Sequence, residues 1–573
     1  MKKWVVAAKK ADFNQIAQKF NISPMLARIM RNRDIIGDEA INMYLNGTVN
    51  DMYDPYLMKG MDSGVMMLSD TIRAGGKIFI IGDYDIDGIC SSYILLKCIE
   101  RIGGTAMVRL PDRVKDGYGM NTVMVDEALE YGASLILTCD NGIAAYDEIK
   151  YARDKGMSVM VTDHHEVPYE EGPDGKKYRL PPADVVIDPK QEDCEYPFKE
   201  ICGAMIAYKL MKCIIELMHK GEELLDEMLM FAGFATVGDI MELKDENRIA
   251  VRHALKEMKV TGNMGMRCLL DVTNVDRNRL SPYVIGYVLG PCINATGRLD
   301  TAKRALEMFL KDSHDEALKI ALELKALNDS RKDLTDKYRT QAEELIDSSK
   351  ELNSDRILVV YLPDCHESLA GIIAGRIREK YGKPAFVLTG AQDCVKGSGR
   401  SIDAYDMYEA MTGCSDLFIK FGGHKMAAGL SIKEENIETF RRTINDNCTL
   451  TEEEMQEKLT ADIALPLSYA TYALAEELDM LEPYGKGNPK PLFVQKDLAA
   501  SDLKVIGKSR NALKFKLMPS DHSCPGVDAI AFGDGDKMAE EINGRKDLAV
   551  MYELDINEYM GSRSVQLVVK DYR

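Results

Sequence analysis

Four of the five short apolar runs between residues 70 and 190 end in aspartate. The runs are Lys77-Ile-Phe-Ile-Ile81, Ala106-Met-Val-Arg-Leu110, Ser134-Leu-Ile-Leu-Thr138, Ser158-Val-Met-Val-Thr162 and Ala183-Asp-Val-Val-Ile187. Each has the length of a strand and is rich in branched or aromatic side chains, and helical patterns lie between them. That alternation predicts a parallel sheet buried between layers of helices. An open sheet of this kind binds ligands just beyond the carboxyl ends of its strands. The pattern therefore puts Asp83, Asp85, Asp87, Asp140, Asp163, His164, His165 and Asp188 along one rim. Asp83, Asp85 and Asp87 could each serve as a turn residue or a helix N-cap, but four separate turns choosing the same acid is a poorer account than one shared purpose. Crowded carboxylates repel one another unless a cation sits between them. Carboxylate and imidazole without thiolate suit Mn²⁺ or Mg²⁺ better than structural zinc. A carboxylate shared by two ions fits a two-metal centre, in which ions ~3.5–4 Å apart activate a water and stabilise a phosphoryl transition state. Hydrolysis of a phosphodiester or phosphoanhydride follows as the reaction class.

Composition narrows the setting. Thirteen cysteines are scattered with no C-x-x-C pair, which predicts thiols in a reducing cytoplasm and not a disulfide framework or a zinc ribbon. No apolar run reaches the ~18 residues of a membrane helix; the best stretch, Gly203 to Met218, is broken by Lys209 and Lys212. The first ten residues have too short an apolar core for a signal peptide. A net charge of −19 disfavours indiscriminate nucleic-acid binding and leaves room for a local basic groove.

Residues 1–65 read as helical, with Asp12, Ser23 and Asp38 as caps. Residues 195–300 are mainly helical. Ser313-His-Asp-Glu316 is a capping box opening a helix from about 314 to 349, roughly 50 Å long, that serves as a strut. Residues 355–450 form a second α/β unit, in which Gly397-Ser-Gly-Arg-Ser401 and Gly422-Gly-His-Lys-Met-Ala-Ala-Gly429 read as small-residue loops able to approach phosphate. From 458 onward, five strand-like runs separated by turns suit an OB barrel. One stretch there, Leu503 to Met518, carries Lys504, Lys508, Arg510, Lys514 and Lys516 with Phe515 and no acid. It suits a single-strand groove combining phosphate contacts with base stacking, against the bland alternative of a solvated strand face.

Gly82-Asp-Tyr-Asp-Ile-Asp-Gly88, Cys139-Asp-Asn-Gly142 and Asp163-His-His165 resemble successive motifs of the DHH phosphoesterase superfamily, and their order and wording resemble the RecJ single-strand exonucleases within it. The likeness runs from Leu45-Asn-Gly47 and Asp54-Pro55 to Glu482-Pro-Tyr-Gly-Lys-Gly-Asn-Pro489 and beyond. It implies a parallel-sheet DHH domain (66–300) after an N-terminal helical segment (1–65), a long connecting helix (301–352), a second α/β DHH-associated domain (353–452) and a C-terminal OB-type barrel (453–573). It further implies that Asp85, Asp87, Asp140 and His164 ligate metal, with Asp83 in or beside the shell, and that His165 and Asp163 are catalytic, His165 meeting the scissile phosphate or the second ion. Phe234-Ala-Thr-Val-Gly-Asp239 resembles the segment supplying a further metal acid, here Asp239. Asn294 and Arg298 in Pro291-Cys-Ile-Asn-Ala-Thr-Gly-Arg298 would position phosphate. Ser398, Arg400 and His424, faced by Arg113, would grip the backbone or its terminal phosphate, and Lys514 and Lys516 would lead the strand in. The sequence departs from the family in Cys365-His-Glu-Ser-Leu-Ala-Gly371, where Gly-Val-Val is expected in place of Ser-Leu-Ala; His366 remains. Cys292 and Met241 are two further departures. The implied activity is a Mn²⁺- or Mg²⁺-dependent, five-prime-to-three-prime exonuclease of single-stranded DNA in repair and recombination, cytoplasmic, working with a helicase and a single-strand-binding protein. The alternatives are a DHH phosphatase of short oligonucleotides or nucleotide signals, and a DNA-binding relative without activity.

Overall fold

A computed structural model describes residues 2–113, 115–117, 119–172, 175–299, 301–391, 393–559 and 561–573. The chain forms two compact units. One comprises Trp4–Pro111, Lys115–Gly290 and Leu459–Arg573; the other comprises Met1–Lys3, Asp112–Val114 and Pro291–Lys458.

In the first unit, five short strands make an all-parallel sheet in the spatial order Thr105–Arg109, Lys77–Ile81, Leu135–Cys139, Ser158–Thr162, Val185–Ile187. Numbered along the chain that order is 2-1-3-4-5, the flavodoxin-like arrangement, whose ligand crevice opens between the first and third strands. The central strands are buried on both faces, which is why their sequences are continuous apolar runs rather than alternating ones. Phe79, Ile81, Ile136, Val159 and Val161 pack against helical Met124, Val125 and Ile149 on one face. The helices Ile86–Ile102 and Gly203–Met218 are buried along most of their length.

The barrel belongs to the same unit. Phe493–Ile506, Ala512–Pro519, Val527–Phe532, Ser562–Tyr572 and Leu548–Tyr559 follow one another around a sheet that closes where the last pairs with the first. Five strands close the ring and the short strand Ile463–Ala464 adds a sixth alongside Phe493–Ile506, so the sheet has one strand more than expected, and the strands differ. The runs at Leu492 and Leu503 are one long bulged strand, and Leu548–Tyr559 was not foreseen. Leu26, Ile29, Met30 and Ile41 of the N-terminal helices share one core with barrel residues Phe493, Leu513, Phe515 and Tyr552. Arg248, fully buried, donates to the carbonyls of Tyr44, Met480 and Leu481 at 2.9–3.0 Å. Asp12 and Ser23 cap their helices as expected, whereas Gly37 takes the cap position before Asp38 and Lys3–Val6 is a strand.

The second unit holds a five-stranded mixed sheet, ordered Phe418–His424, Ala427–Ile432, Val395–Arg400, Ala385–Gly390, Leu358–Leu362. Its helix Ala370–Tyr381 and the 35-residue helix His314–Ser348 cover one face, and Met407, Met411, Phe440 and Ile444 pack on the other. Of the two glycine-rich stretches expected as loops, the first lies on the strand Val395–Arg400, and the second is the end of a β-hairpin that turns at Lys425 and Met426 between Phe418–His424 and Ala427–Ile432. A β-carbon on Gly399 would lie 2.6 Å from Phe386 Cε1, and one on Gly397 2.4 Å from Leu388 Cδ2. Glycine there makes room for large neighbours and is not a turn signal.

Candidate metal centre and nucleic-acid surfaces

The first and third strands of the parallel sheet deliver their acids side by side. Asp85 is the N-cap of the helix Ile86–Ile102 and accepts from the amides of Asp87 (2.9 Å) and Gly88 (3.2 Å), so the cap and the rim acid are the same residue. Gly88 is required, since a β-carbon there would sit 2.5 Å from the Asp83 backbone. Asp87, 0% exposed, has both oxygens anchored, by the amides of Gly203 (2.6 Å) and Ala204 (2.9 Å) at the start of the helix Gly203–Met218. A helix N-terminus favours a carboxylate in this position. Asp140 follows the third strand with φ of 59°, a left-handed conformation that aspartate tolerates better than most residues. Asn141 locks the junction by donating to the carbonyls of Ile81 (3.0 Å) and Cys139 (2.9 Å).

His164 completes the cluster. Its Nε2 lies 3.1 Å from Asp140 Oδ1, 3.5 Å from Asp87 Oδ2 and 3.7 Å from Asp239 Oδ2, and its Nδ1 has no hydrogen-bond partner among the described residues. Three sets of donor atoms are compact enough for an ion: Asp83, Asp85 and Asp140; Asp87, His164 and Asp239; and Asp140, His164 and His165. The sets overlap through Asp140 and His164, as a two-ion centre requires.

The charges are unbalanced. Burial, then Asp87, raises Asp85; burial, then Asp87, Asp85, Asp83 and Asp239, raises Asp140 well above the usual carboxylate range; and Asp239 is pushed up to about 8 by burial and by Asp87 and Asp85. His164 is held below its ordinary value, chiefly by burial, and so keeps a lone pair to offer. One imidazole cannot compensate these carboxylates. A divalent cation can, and an all-oxygen-and-imidazole donor set matches Mn²⁺ or Mg²⁺.

Asp163 stands apart from the three sets. Its Oδ2 accepts from Ile143 N (2.9 Å), and its Oδ1 from the His164 and His165 amides and from His165 Nδ1 at 2.7 Å. These bonds tie it to the His165 ring, and its own carboxyl is held low, where burial is outweighed by the His165 hydrogen bond. Burial would lower His165, but the Asp163 hydrogen bond and nearby carboxylates hold it at about 9. Asp188, also on the rim, is pushed up to about 8 by burial and Asp163.

The second unit gathers another group. A β-carbon on Gly371, at the start of the helix Ala370–Tyr381, would lie 2.7 Å from Arg400 Nη2 and 3.0 Å from Ser398 Oγ. Arg400 Nη1 donates to Ser398 Oγ (3.0 Å), and burial followed by the nearby charge of Arg113 holds this guanidinium below its ordinary value. A guanidinium against a helix N-terminus, with a second arginine charge acting on it, suits an anion. Arg298 donates to the Ser368 carbonyl (2.8 Å), and Ser368, one of the departing residues, hydrogen-bonds His366 Nδ1 at 2.7 Å. The departure therefore supplies the hydroxyl that orients His366. Asn294 is one helical turn before Arg298. His424 shares a cross-strand row with Ala427 and Arg400.

On the barrel, Lys504 and Lys514 are directly opposite each other with no ion pair among the described residues, a like-charge pairing that an anionic ligand would relieve. Lys516 is 3.9 Å from Asp502, and Arg510 is paired with Asp536. Phe515 faces the barrel core at 4% exposure and cannot stack a base; the exposed aromatic is Phe532, 67% exposed on the adjoining strand and opposite Ala512. Strand alternation decides this, since Phe515 and Lys514 point to opposite faces. The sequence also missed Gly203 and Gly371, which carry no chemistry and act only by leaving space.

Three family models match the chain in succession: the DHH family N-terminal domain over residues 77–236, the DHHA1 domain over 354–449 and the RecJ OB domain over 461–571. The chain is similar to the single-stranded-DNA-specific exonuclease RecJ of Salmonella typhimurium, 33% identical over 573 residues that cover 96% of each protein. It is similar to the protein of the same description from Bacillus subtilis, 30% identical over 99% of this chain and 70% of that one. Among solved structures it resembles RecJ of Thermus thermophilus in complex with Mn²⁺, with a TM-score of 0.80 at 25% identity, covering 100% of this chain and 79% of that one.

Proposed function

The chain belongs to the RecJ family and is a metal-dependent exonuclease of single-stranded DNA, and we propose that it works from the five-prime end, in DNA repair and recombination. The overlapping donor sets at the switch point of the parallel sheet carry this reading. Asp83, Asp85 and Asp140 would hold one ion, and Asp87, His164 and Asp239 the other. Bound there, Mn²⁺ or Mg²⁺ supplies an acidified water and positive charge against the phosphoryl oxygens. The chain's own residues do the rest. The helix amides at Gly203 and Ala204 hold both Asp87 oxygens in place. Asp163 fixes the His165 ring through Nδ1, so Nε2 is the atom that would meet a phosphate oxygen. Asn294 and Arg298 would help position phosphate. Arg113, Ser398 and Arg400, with His366 and His424 beside them, would take the strand's terminal phosphate, because planar guanidinium forks match its oxygens. Lys504, Lys514 and Lys516 would track the backbone on the barrel. Thirteen free cysteines suit the cytoplasm, where a helicase would unwind duplex and a single-strand-binding protein would present the product. Among the described residues no helix is long and apolar enough to cross a membrane.

Digestion of an oligonucleotide labelled at one end or the other, with Mn²⁺ present, tests the reading. Mononucleotides released from the five-prime end, lost in Asp140→Ala and His165→Ala, are expected. Release from the three-prime end would overturn the polarity, and cleavage confined to di- or trinucleotides would overturn the substrate.

A further inference from the structure

Beside the metal centre the chain exposes two tyrosines. Tyr283 and Tyr287 are 66% and 63% exposed, yet their rings stack on each other with centroids 4.8 Å apart and planes 25° from parallel. They sit on an irregular turn. Ile285–Leu289 is a π-helix, with the Gly290 amide donating to the Ile285 carbonyl five residues back. Such turns are rare and concentrate at functional sites. The inner side of this turn packs on the metal-binding elements. A β-carbon on Gly290 would lie 3.5 Å from Ile86 Cδ1, between Asp85 and Asp87, and one on Gly286 would lie 3.9 Å from Val237 Cγ1, two residues before Asp239. Ile285 and Leu289 are buried there, which turns the two rings outward. Ile240, the residue after Asp239, is a further exposed apolar side chain of this unit. It is 66% exposed and holds φ of 58°, a left-handed conformation rarely adopted by a β-branched residue.

We propose that Tyr283 and Tyr287 form a stacking platform for the nucleobases of the strand beside the scissile phosphate. This inference rests on the exonuclease reading above. An enzyme that removes nucleotides regardless of sequence must hold bases without reading them, and an aromatic face does so because every base has a π-face. The pair is already stacked, so little ordering is needed when a base is added to its outer face. Burial of Ile285 and Leu289 explains the helix without the tyrosines; nothing in the packing of the turn needs two large rings in solvent.

The test uses full-length protein with Mn²⁺ and two oligothymidylates, one intact and one carrying abasic sites. Wild type is expected to show a KM roughly tenfold higher on the abasic strand. Tyr283→Ala/Tyr287→Ala is expected to match that weaker value on both strands, with Mn²⁺ affinity unchanged, and Tyr283→Phe/Tyr287→Phe to retain the wild-type preference. Alanine variants that still prefer the intact strand by the wild-type factor, or that weaken on both strands equally, would overturn the platform. Failure of wild type to degrade any strand would instead overturn the exonuclease reading itself. Because both side chains are mostly in solvent, loss of folding is not expected; Tyr283→Leu/Tyr287→Leu provides a second pair should the alanine variant melt early.

Discussion

Gly203→Ala should damage the metal centre without touching a ligand. The new β-carbon would lie 2.8 Å from Asp140 Cβ, 3.0 Å from Asp140 Cα and 3.0 Å from Asp87 Oδ2. Carbon atoms sit comfortably at about 3.5 Å or more, so Asp140 must retreat by about 0.7 Å. Metal sites tolerate roughly 0.2 Å in their ligand distances. Neither neighbour can give way easily, since the backbone of Asp140 is tied to Thr162 (3.0 Å) and Asp87 is anchored at both oxygens. By comparison with lost supporting contacts in other metal sites, Mn²⁺ affinity should fall about 10–100-fold, or ~1.4–2.8 kcal/mol. Overpacking should cost a further ~1–3 kcal/mol of folding stability. Calorimetric titration of Mn²⁺ into each protein measures the first, and a thermal melt in EDTA the second. A folded variant that binds Mn²⁺ within twofold of wild type would refute the reasoning.

Asp163→Asn should leave Mn²⁺ binding nearly intact while lowering kcat about 10–100-fold, because the residue orients His165 and is in none of the donor sets; equal losses in both would make it a ligand. Arg400→Ala should raise KM about tenfold for five-prime-phosphorylated strands and less for strands ending in a hydroxyl, as expected for a charge-assisted contact, and steady-state kinetics on the two substrates checks it. Lys504→Glu/Lys514→Glu should weaken strand binding and lower the slope of log affinity against log salt by about 0.7 per lost phosphate contact, read by anisotropy at several salt concentrations. The metal-free protein should lose stability as pH rises from about 4 to about 9. The raised carboxyls of Asp239 and Asp188, near 8, and the raised imidazole of His165, near 9, keep protons in the folded state that the unfolded chain has released, so stability falls as pH rises. Melting points in EDTA across that range measure the loss, and Mn²⁺ should reverse it; a flat or rising profile would contradict the charge assignment.

The parallel sheet was legible within a residue or two, because strands buried on both faces must be apolar throughout and Gly or Asp punctuates their ends. The same logic failed where glycine replaced side chains, at Val395–Arg400 and Phe418–His424. It also failed where one exposed strand runs into a bulge, in Phe493–Ile506.

Sequence alone determined the chemistry on offer: acids and imidazoles at strand ends, no clustered thiols, basic side chains in one late stretch. It could not say which strand edges pair. Only the spatial order, with the first and third strands adjacent, puts Asp83, Asp85 and Asp87 against Asp140. Asp163 looks like its neighbours in sequence, and only the fold shows its oxygens taken up by amides and His165. Phe515, expected beside the basic side chains as a stacking ring, is inside and Phe532 outside because barrel closure decides which face of a strand is inside. Local spacing encodes periodicity and residue chemistry, whereas pairing between distant segments is set by the packing of the whole unit, and the site exists only where that packing brings the ends together.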